Sequence, residues 1–62
     1  MITYDILKKA NNWFKVHNIS AFIDDGTMYI RNGEFEFQLS SAEVYYRAEE
    51  YVRLKTNNLI KH

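Results

Sequence analysis

Hydrophobic and polar residues recur along this chain with two different periods, and the change of period separates helices from strands. Up to residue 17, apolar side chains return every three or four residues, which is the spacing of one helix face. Thr3 can cap the start of this helix, and Asn18 can end it because asparagine tolerates the left-handed conformation. The pattern predicts a first helix over residues 3–17. Its apolar stripe comprises Ile6, Leu7, Ala10, Trp13, Phe14 and His17.

From residue 19 to residue 39 the period is two, as in strands with one buried face. Two dipeptides interrupt it, Asp25-Gly26 and Asn32-Gly33. Both are typical of type I′ turns, in which both central residues need positive φ. The sequence therefore predicts an antiparallel meander of three strands, over residues 19–24, 27–31 and 34–39, in the order 1-2-3.

Two-residue turns also fix which residues lie opposite one another. They place Phe22 opposite Tyr29 in the first hairpin, and Arg31 opposite Glu34 and Met28 opposite Phe37 in the second. In this register one face is entirely apolar and the other is mixed. The apolar face comprises Ile19, Ala21, Ile23, Met28, Ile30, Phe35, Phe37 and Leu39. The mixed face, called here the open face, comprises Ser20, Phe22, Thr27, Tyr29, Arg31, Glu34, Glu36 and Gln38.

A capping box, Ser40 with Glu43 three residues later, predicts a second helix over residues 41–57. Two asparagines, Asn57 and Asn58, weaken its end. Its stripe comprises Val44, Tyr45, Ala48, Tyr51, Val52 and Leu59. Both helix stripes need an apolar surface and the sheet offers one such face. We therefore expect an α+β fold with two layers, α-β-β-β-α, both helices on one face, and Trp13 and Phe37 inside the core.

Composition narrows the function classes. The chain has 62 residues, enough for a single domain, and no cysteine, so disulfides and cysteine zinc sites are excluded. Eight basic and eight acidic residues balance, which gives no long-range attraction to nucleic acid or anionic membranes. The apolar runs are too short for a transmembrane helix or a signal peptide. We expect a cytoplasmic protein without metal or cofactor.

Catalytic chemistry has little support in the sequence. His17 lies on the apolar line of the first helix, near its end, where a histidine is usually structural. The turn explains Asp24 and Asp25, and capping explains Ser40 and Ser41. No nucleophile has an inferable base and no glycine-rich phosphate loop is present. We therefore expect a protein that is not an enzyme.

The open face is the first candidate site, because it carries Phe22 beside Tyr29 with Arg31 adjacent. Such a group suits a protein interface or the stacking of single-stranded bases, or it only stabilises the hairpin. Tyr46 and Arg53, on the outer side of the second helix, are the second candidate. The leading hypothesis is a protein–protein interaction module that binds an unidentified protein or a second copy of itself. The alternatives are single-stranded nucleic-acid binding through the open face, and an accessory or inhibitor protein of a phage or mobile element.

The order helix, three strands, helix resembles that of double-stranded RNA-binding domains and of small HicA-type toxin ribonucleases. The resemblance implies the fold alone. Double-stranded RNA-binding domains carry lysines at the start of the second helix, where this chain has Ser40-Ser41-Ala42-Glu43. HicA-type enzymes carry a histidine on the early strands, and no histidine occurs here between Ile19 and Leu39. The resemblance therefore supports neither activity.

Overall fold

The computed structural model describes the backbone of residues 2–60 and the side chains of residues 2–57. Two helices flank three strands. The strands form one antiparallel sheet in the order β1-β2-β3, and side chains of both helices pack on the same face of it. The predicted two-layer α+β fold is confirmed. The elements are α1 (Tyr4–Val16), β1 (Ala21–Asp24), β2 (Thr27–Asn32), β3 (Phe35–Gln38) and α2 (Ser41–Ile60).

Both ends of α1 are built as the sequence predicts. At the start, the Thr3 hydroxyl accepts a hydrogen bond from the Ile6 amide at 3.3 Å, which satisfies one of the free donors of the first turn. At the end, Asn18 is left-handed with φ of 60°. The Asn18 and Ile19 amides donate to the Lys15 and Phe14 carbonyls at 3.0 and 2.8 Å. These two bonds form a Schellman motif, so α1 stops there and the chain turns toward β1.

The first hairpin has the predicted register, with Phe22 opposite Tyr29 and Ile23 opposite Met28. Its turn residues Asp25 and Gly26 have φ of 51° and 77°, both positive, as a type I′ turn requires. β1 begins at Ala21, two residues later than predicted.

The predicted register of the second hairpin is wrong by two residues. Asn32 belongs to β2 and pairs with Phe35, so the loop is Gly33-Glu34 and only Gly33 has positive φ, 64°. Positive φ at the first central residue alone is the pattern of a type II′ turn, which needs glycine only there. The longer β2 places Arg31 opposite Glu36 instead of Glu34, and the two side chains form an ion pair at 2.7 Å.

A shift of two residues preserves the two faces of the sheet, because side chains alternate with a period of two. Ile30 now lies opposite Phe37, and Arg31 opposite Glu36. The residues that remain in the strands therefore keep the faces that the sequence assigned to them, while Asn32 joins the apolar face opposite Phe35 and Glu34 lies in the turn.

α2 is also longer than predicted. The Ser40 hydroxyl accepts from the Glu43 amide at 3.2 Å, so the predicted cap is present. The helix continues to Ile60 instead of ending near residue 57. Asparagine disfavours a helix by well under about 1 kcal/mol per residue, which is too little to end one by itself. The expected packing of Leu59 lies outside the described side chains.

The buried core is smaller than the apolar pattern predicts and leaves β3 uncovered. α1 packs on β1 and against α2, whereas α2 contacts mainly α1. All four residues of β3 are exposed, so the prediction that Phe37 lies in the core is wrong. Trp13 is only partly buried, and Ile19, Tyr45 and Val52 are exposed. The buried residues are Leu7, Ala10, Phe14, Met28, Val44 and Ala48.

Candidate functional site

The structure brings together the three open-face residues that the sequence singled out. Phe22 and Tyr29 lie opposite each other on β1 and β2, and their rings stack with centroids 5.2 Å apart and planes 16° from parallel. The Arg31 guanidinium lies 5.1 Å from the centre of the Phe22 ring, within the range of a cation–π contact. Both aromatic rings are half-buried. The group is therefore a preformed stack of three side chains.

Arg31 is held by an acidic neighbour as well. Its Nη2 and Nε atoms donate to one Glu36 carboxylate oxygen at 2.7 and 3.2 Å. This pair spans β2 and β3 on the open face and about half of each side chain is exposed. The positive charge at the edge of the aromatic stack is thereby largely neutralised before any partner arrives.

The two candidate residues of α2 lie among other charges. Tyr46 is 51% exposed, and the Arg47 guanidinium lies 5.1 Å from its ring centre. Arg53 lies 3.9 Å from a carboxylate oxygen of Glu49 and 3.6 Å from one of Glu50. Exposed pairs of this kind are worth little individually, and they leave a mixed-charge surface along the helix.

An apolar surface that the sequence did not single out lies on β3, on the same side of the sheet as the helices. Phe35 is 67% exposed and Phe37 is 53% exposed. Their rings are 6.4 Å apart and inclined by 25°, so they form one continuous patch, called here the β3 aromatic pair. The signal available in the sequence was the spacing Phe-x-Phe, and alternation assigns both residues to the apolar face. It does not say whether a helix covers that part of the face.

β3 is also an edge of the sheet, so half of its backbone groups point away from β2. The Leu39 amide donates to the Met28 carbonyl at 2.9 Å, which shows that the backbone of Leu39 faces β2. Because backbone direction alternates along a strand, Phe35 and Phe37 also face β2. The amide and carbonyl groups of Glu36 and Gln38 then point to the free edge. β3 thus presents exposed phenylalanine rings beside unused hydrogen-bonding groups.

The remaining features offer little chemistry. A cavity of about 320 Å³ opens between the starts of both helices and the first turn, and none of its ten lining residues is ionisable. His17 is exposed, stacks on Trp13 with ring centroids 3.9 Å apart, and its Nδ1 lies 2.8 Å from the Trp13 carbonyl oxygen. Within the described part of the chain, no three acidic, histidine or cysteine side chains are grouped to hold a metal ion.

Comparison of the chain with protein-family models, curated proteins and solved structures gave no match. Neither helix, over the residues described, is both long enough and apolar enough to cross a membrane.

Proposed function

We propose that this protein is a small non-enzymatic interaction module that binds another protein through its sheet. The β3 aromatic pair carries the proposal. Two phenylalanine side chains, 67% and 53% exposed, lie side by side on a strand whose outer edge is free. Aromatic residues are enriched at protein interfaces, and an edge strand can accept a further strand. A cytoplasmic location is part of this proposal.

The charges around the sheet favour a protein over nucleic acid as the partner. Glu36 lies on β3 itself and holds Arg31 at 2.7 Å, so the cation nearest the open-face stack already has a counter-ion. A phosphate backbone would have to displace that carboxylate or lie beside it, and either costs electrostatic energy. The chain as a whole has a formal net charge of zero.

The open-face stack of Phe22, Tyr29 and Arg31 is a second contact surface within the same proposal. It lies on the opposite side of the sheet from the β3 aromatic pair. Its rings already cover each other, with centroids 5.2 Å apart, so a partner would gain less apolar burial there than at Phe35 and Phe37. Tyr46 and Arg53 on α2 rank third, because the surface around them carries charges of both signs.

Site-specific photo-crosslinking in cells of the source organism tests the proposal. A photoreactive phenylalanine analogue is placed at position 37, 22 or 46, and at the exposed Lys15 on α1 as a control. We expect a discrete protein adduct at position 37 that is weak or missing at position 15. Equal adducts at all four positions would contradict a defined interface.

The nucleic-acid alternative has its own measurement. Labelled single-stranded oligonucleotides are titrated with the full chain at low salt, where binding through phosphates is strongest. We expect no saturable binding. Saturable binding that weakens steeply with added salt and is lost in Phe22→Ser would contradict the protein-partner proposal in favour of a nucleic-acid partner.

A further inference from the structure

We infer that the partner at β3 is a second copy of this chain, bound edge to edge so that two sheets become one. This inference rests on the proposed function and names its partner. In the pair, β3 of each copy lies antiparallel to β3 of the other about a two-fold axis. Three strands from each copy then form a continuous six-stranded sheet.

Backbone geometry restricts how the two β3 strands can pair. Residues directly opposite in an antiparallel pair point to the same face, so an apolar residue must lie opposite an apolar one. The groups that point to the free edge belong to Glu36 and Gln38, as the Leu39-to-Met28 hydrogen bond shows. Those two residues must therefore supply the hydrogen bonds between the copies.

Charge excludes the register in which Glu36 lies on the two-fold axis. If Glu36 lay opposite its own copy, two carboxylates would face each other across the dimer. In the alternative register Phe37 lies on the two-fold axis. Glu36 then lies opposite Gln38 of the other copy, and Phe35 lies opposite Leu39. An amide can donate to a carboxylate, so this register satisfies both side chains and leaves every apolar residue opposite another. A register with Gln38 on the axis would also separate the carboxylates, but it would put Glu36 opposite Ser40, whose hydroxyl caps α2, so we place the axis at Phe37.

The same arrangement closes the gap in the apolar layer. A two-fold axis perpendicular to the sheet keeps the helices of both copies on the same face. The β3 aromatic pairs of the two copies then meet in the centre, where four phenylalanine rings cover one another. β1, the other edge, is a weaker choice because its apolar residues Ala21 and Ile23 already pack against the core.

The first experiment measures mass over a concentration series by size exclusion with light scattering. We expect the full chain to approach twice its 7.5 kDa mass as concentration rises. The double variant Phe35→Ser/Phe37→Ser should remain a monomer at every concentration. Tyr4→Ser is the matched control, since Tyr4 is as exposed as Phe35, 67%, but lies on α1. It should dimerise like the unmodified chain, and circular dichroism should show that both variants keep the fold.

The second experiment tests the register and uses the fact that the chain has no cysteine of its own. At the two-fold axis, position 37 lies in a non-hydrogen-bonded pair with its own copy, where Cα atoms are about 4.5 Å apart and a disulfide can form. Phe37→Cys should therefore give a covalent dimer on mild oxidation. Position 35 lies about 13 Å from its copy along the strand, beyond the reach of a disulfide. Phe35→Cys should stay reduced or crosslink far more slowly.

The outcomes separate this inference from the proposed function. A monomer at all concentrations together with a specific adduct to another protein at position 37 would overturn the second-copy inference and leave the interaction module standing. A monomer without specific adducts at positions 37, 22 and 46 would overturn both. A dimer lost in Phe22→Ser but kept in Phe35→Ser/Phe37→Ser would move the interface to the open face. Equal crosslinking at positions 35 and 37 would overturn the register.

Discussion

The two hairpins of this sheet share β2 and the same alternating pattern. They differ in whether the observed register matches the predicted one, and in whether a helix covers their apolar side. The first, β1–β2, has the register that its turn residues predict, and its apolar side chains lie under α1. The second, β2–β3, is displaced by two residues from its predicted register, and the outer half of its apolar face is bare. Alternation therefore reports which face a side chain occupies, whereas burial depends on where the helices lie.

The difference in cover follows from how the helices pack. α1 lies on β1 and its residues Leu7 and Phe14 are 2% exposed. α2 uses the small residue Ala48 and the neighbouring Val44 in the core and contacts mainly α1. A helix that leans on another helix covers less of the sheet. Among the described residues, the aromatic side chains of β3 stay exposed and no helix residue covers them.

The largest expected effect tests the covered hairpin. Met28 is 1% exposed and lies beneath both helices, so Met28→Ala should lower the free energy of unfolding by about 2–5 kcal/mol. Urea denaturation, monitored by circular dichroism, measures this loss in free energy. This loss is a large part of the total stability of such a small domain. Phe37→Ala is measured in the same experiment. If Met28→Ala lowered the free energy of unfolding by less than Phe37→Ala does, the contrast in burial between the two hairpins would be contradicted.

The second prediction concerns the first turn. Asp25 has φ of 51°, a conformation that a β-branched residue adopts at a cost of about 1–2 kcal/mol. Asp25→Val should therefore lower the free energy of unfolding by about that amount. Asp25→Gly is the matched control, since glycine accepts positive φ without strain, and it should cost much less in the same urea titration.

How much the sequence could predict differs between these features for physical reasons. Capping by Thr3 and Ser40, the left-handed Asn18 and the first turn are local, and local residue chemistry decides them. The second turn is less determined, because Asn32-Gly33 suits a type I′ loop and Gly33 alone suits a type II′ loop one position later. The type II′ loop also places Arg31 opposite Glu36, and the two side chains form an ion pair.

Whether a helix covers β3 could not be predicted from the sequence, because the position of the helices on the sheet depends on tertiary packing. Phe37 alternates in step with the buried Met28, and nothing local distinguishes the two. The candidate open-face stack was predictable, since a fixed register places Phe22 beside Tyr29. The β3 aromatic pair was missed because its residues were assigned to the core.

The third prediction tests the bare hairpin. Phe37 is 53% exposed, so Phe37→Ala should lower the free energy of unfolding by only about 1 kcal/mol when the chain is dilute. Urea titrations at two protein concentrations separate the stability of the single chain from the stability that dimerisation adds. If the second-copy inference holds, the unmodified chain gains more stability with concentration than the variant does. A cost of about 3–5 kcal/mol in dilute solution would instead show that the ring is buried within the single chain.

The smallest expected effect distinguishes the two turns of the sheet by the same substitution. Asn32 lies in β2, pairs with Phe35 and has no positive φ, so a β-branched residue fits its backbone. Asn32→Val should therefore change the free energy of unfolding by no more than about 0.5 kcal/mol. If the loop were instead Asn32-Gly33 in a type I′ turn, Asn32 would need positive φ, and valine would cost as much there as it does at Asp25. Equal costs for Asn32→Val and Asp25→Val in parallel urea titrations would restore the predicted register, with Arg31 opposite Glu34.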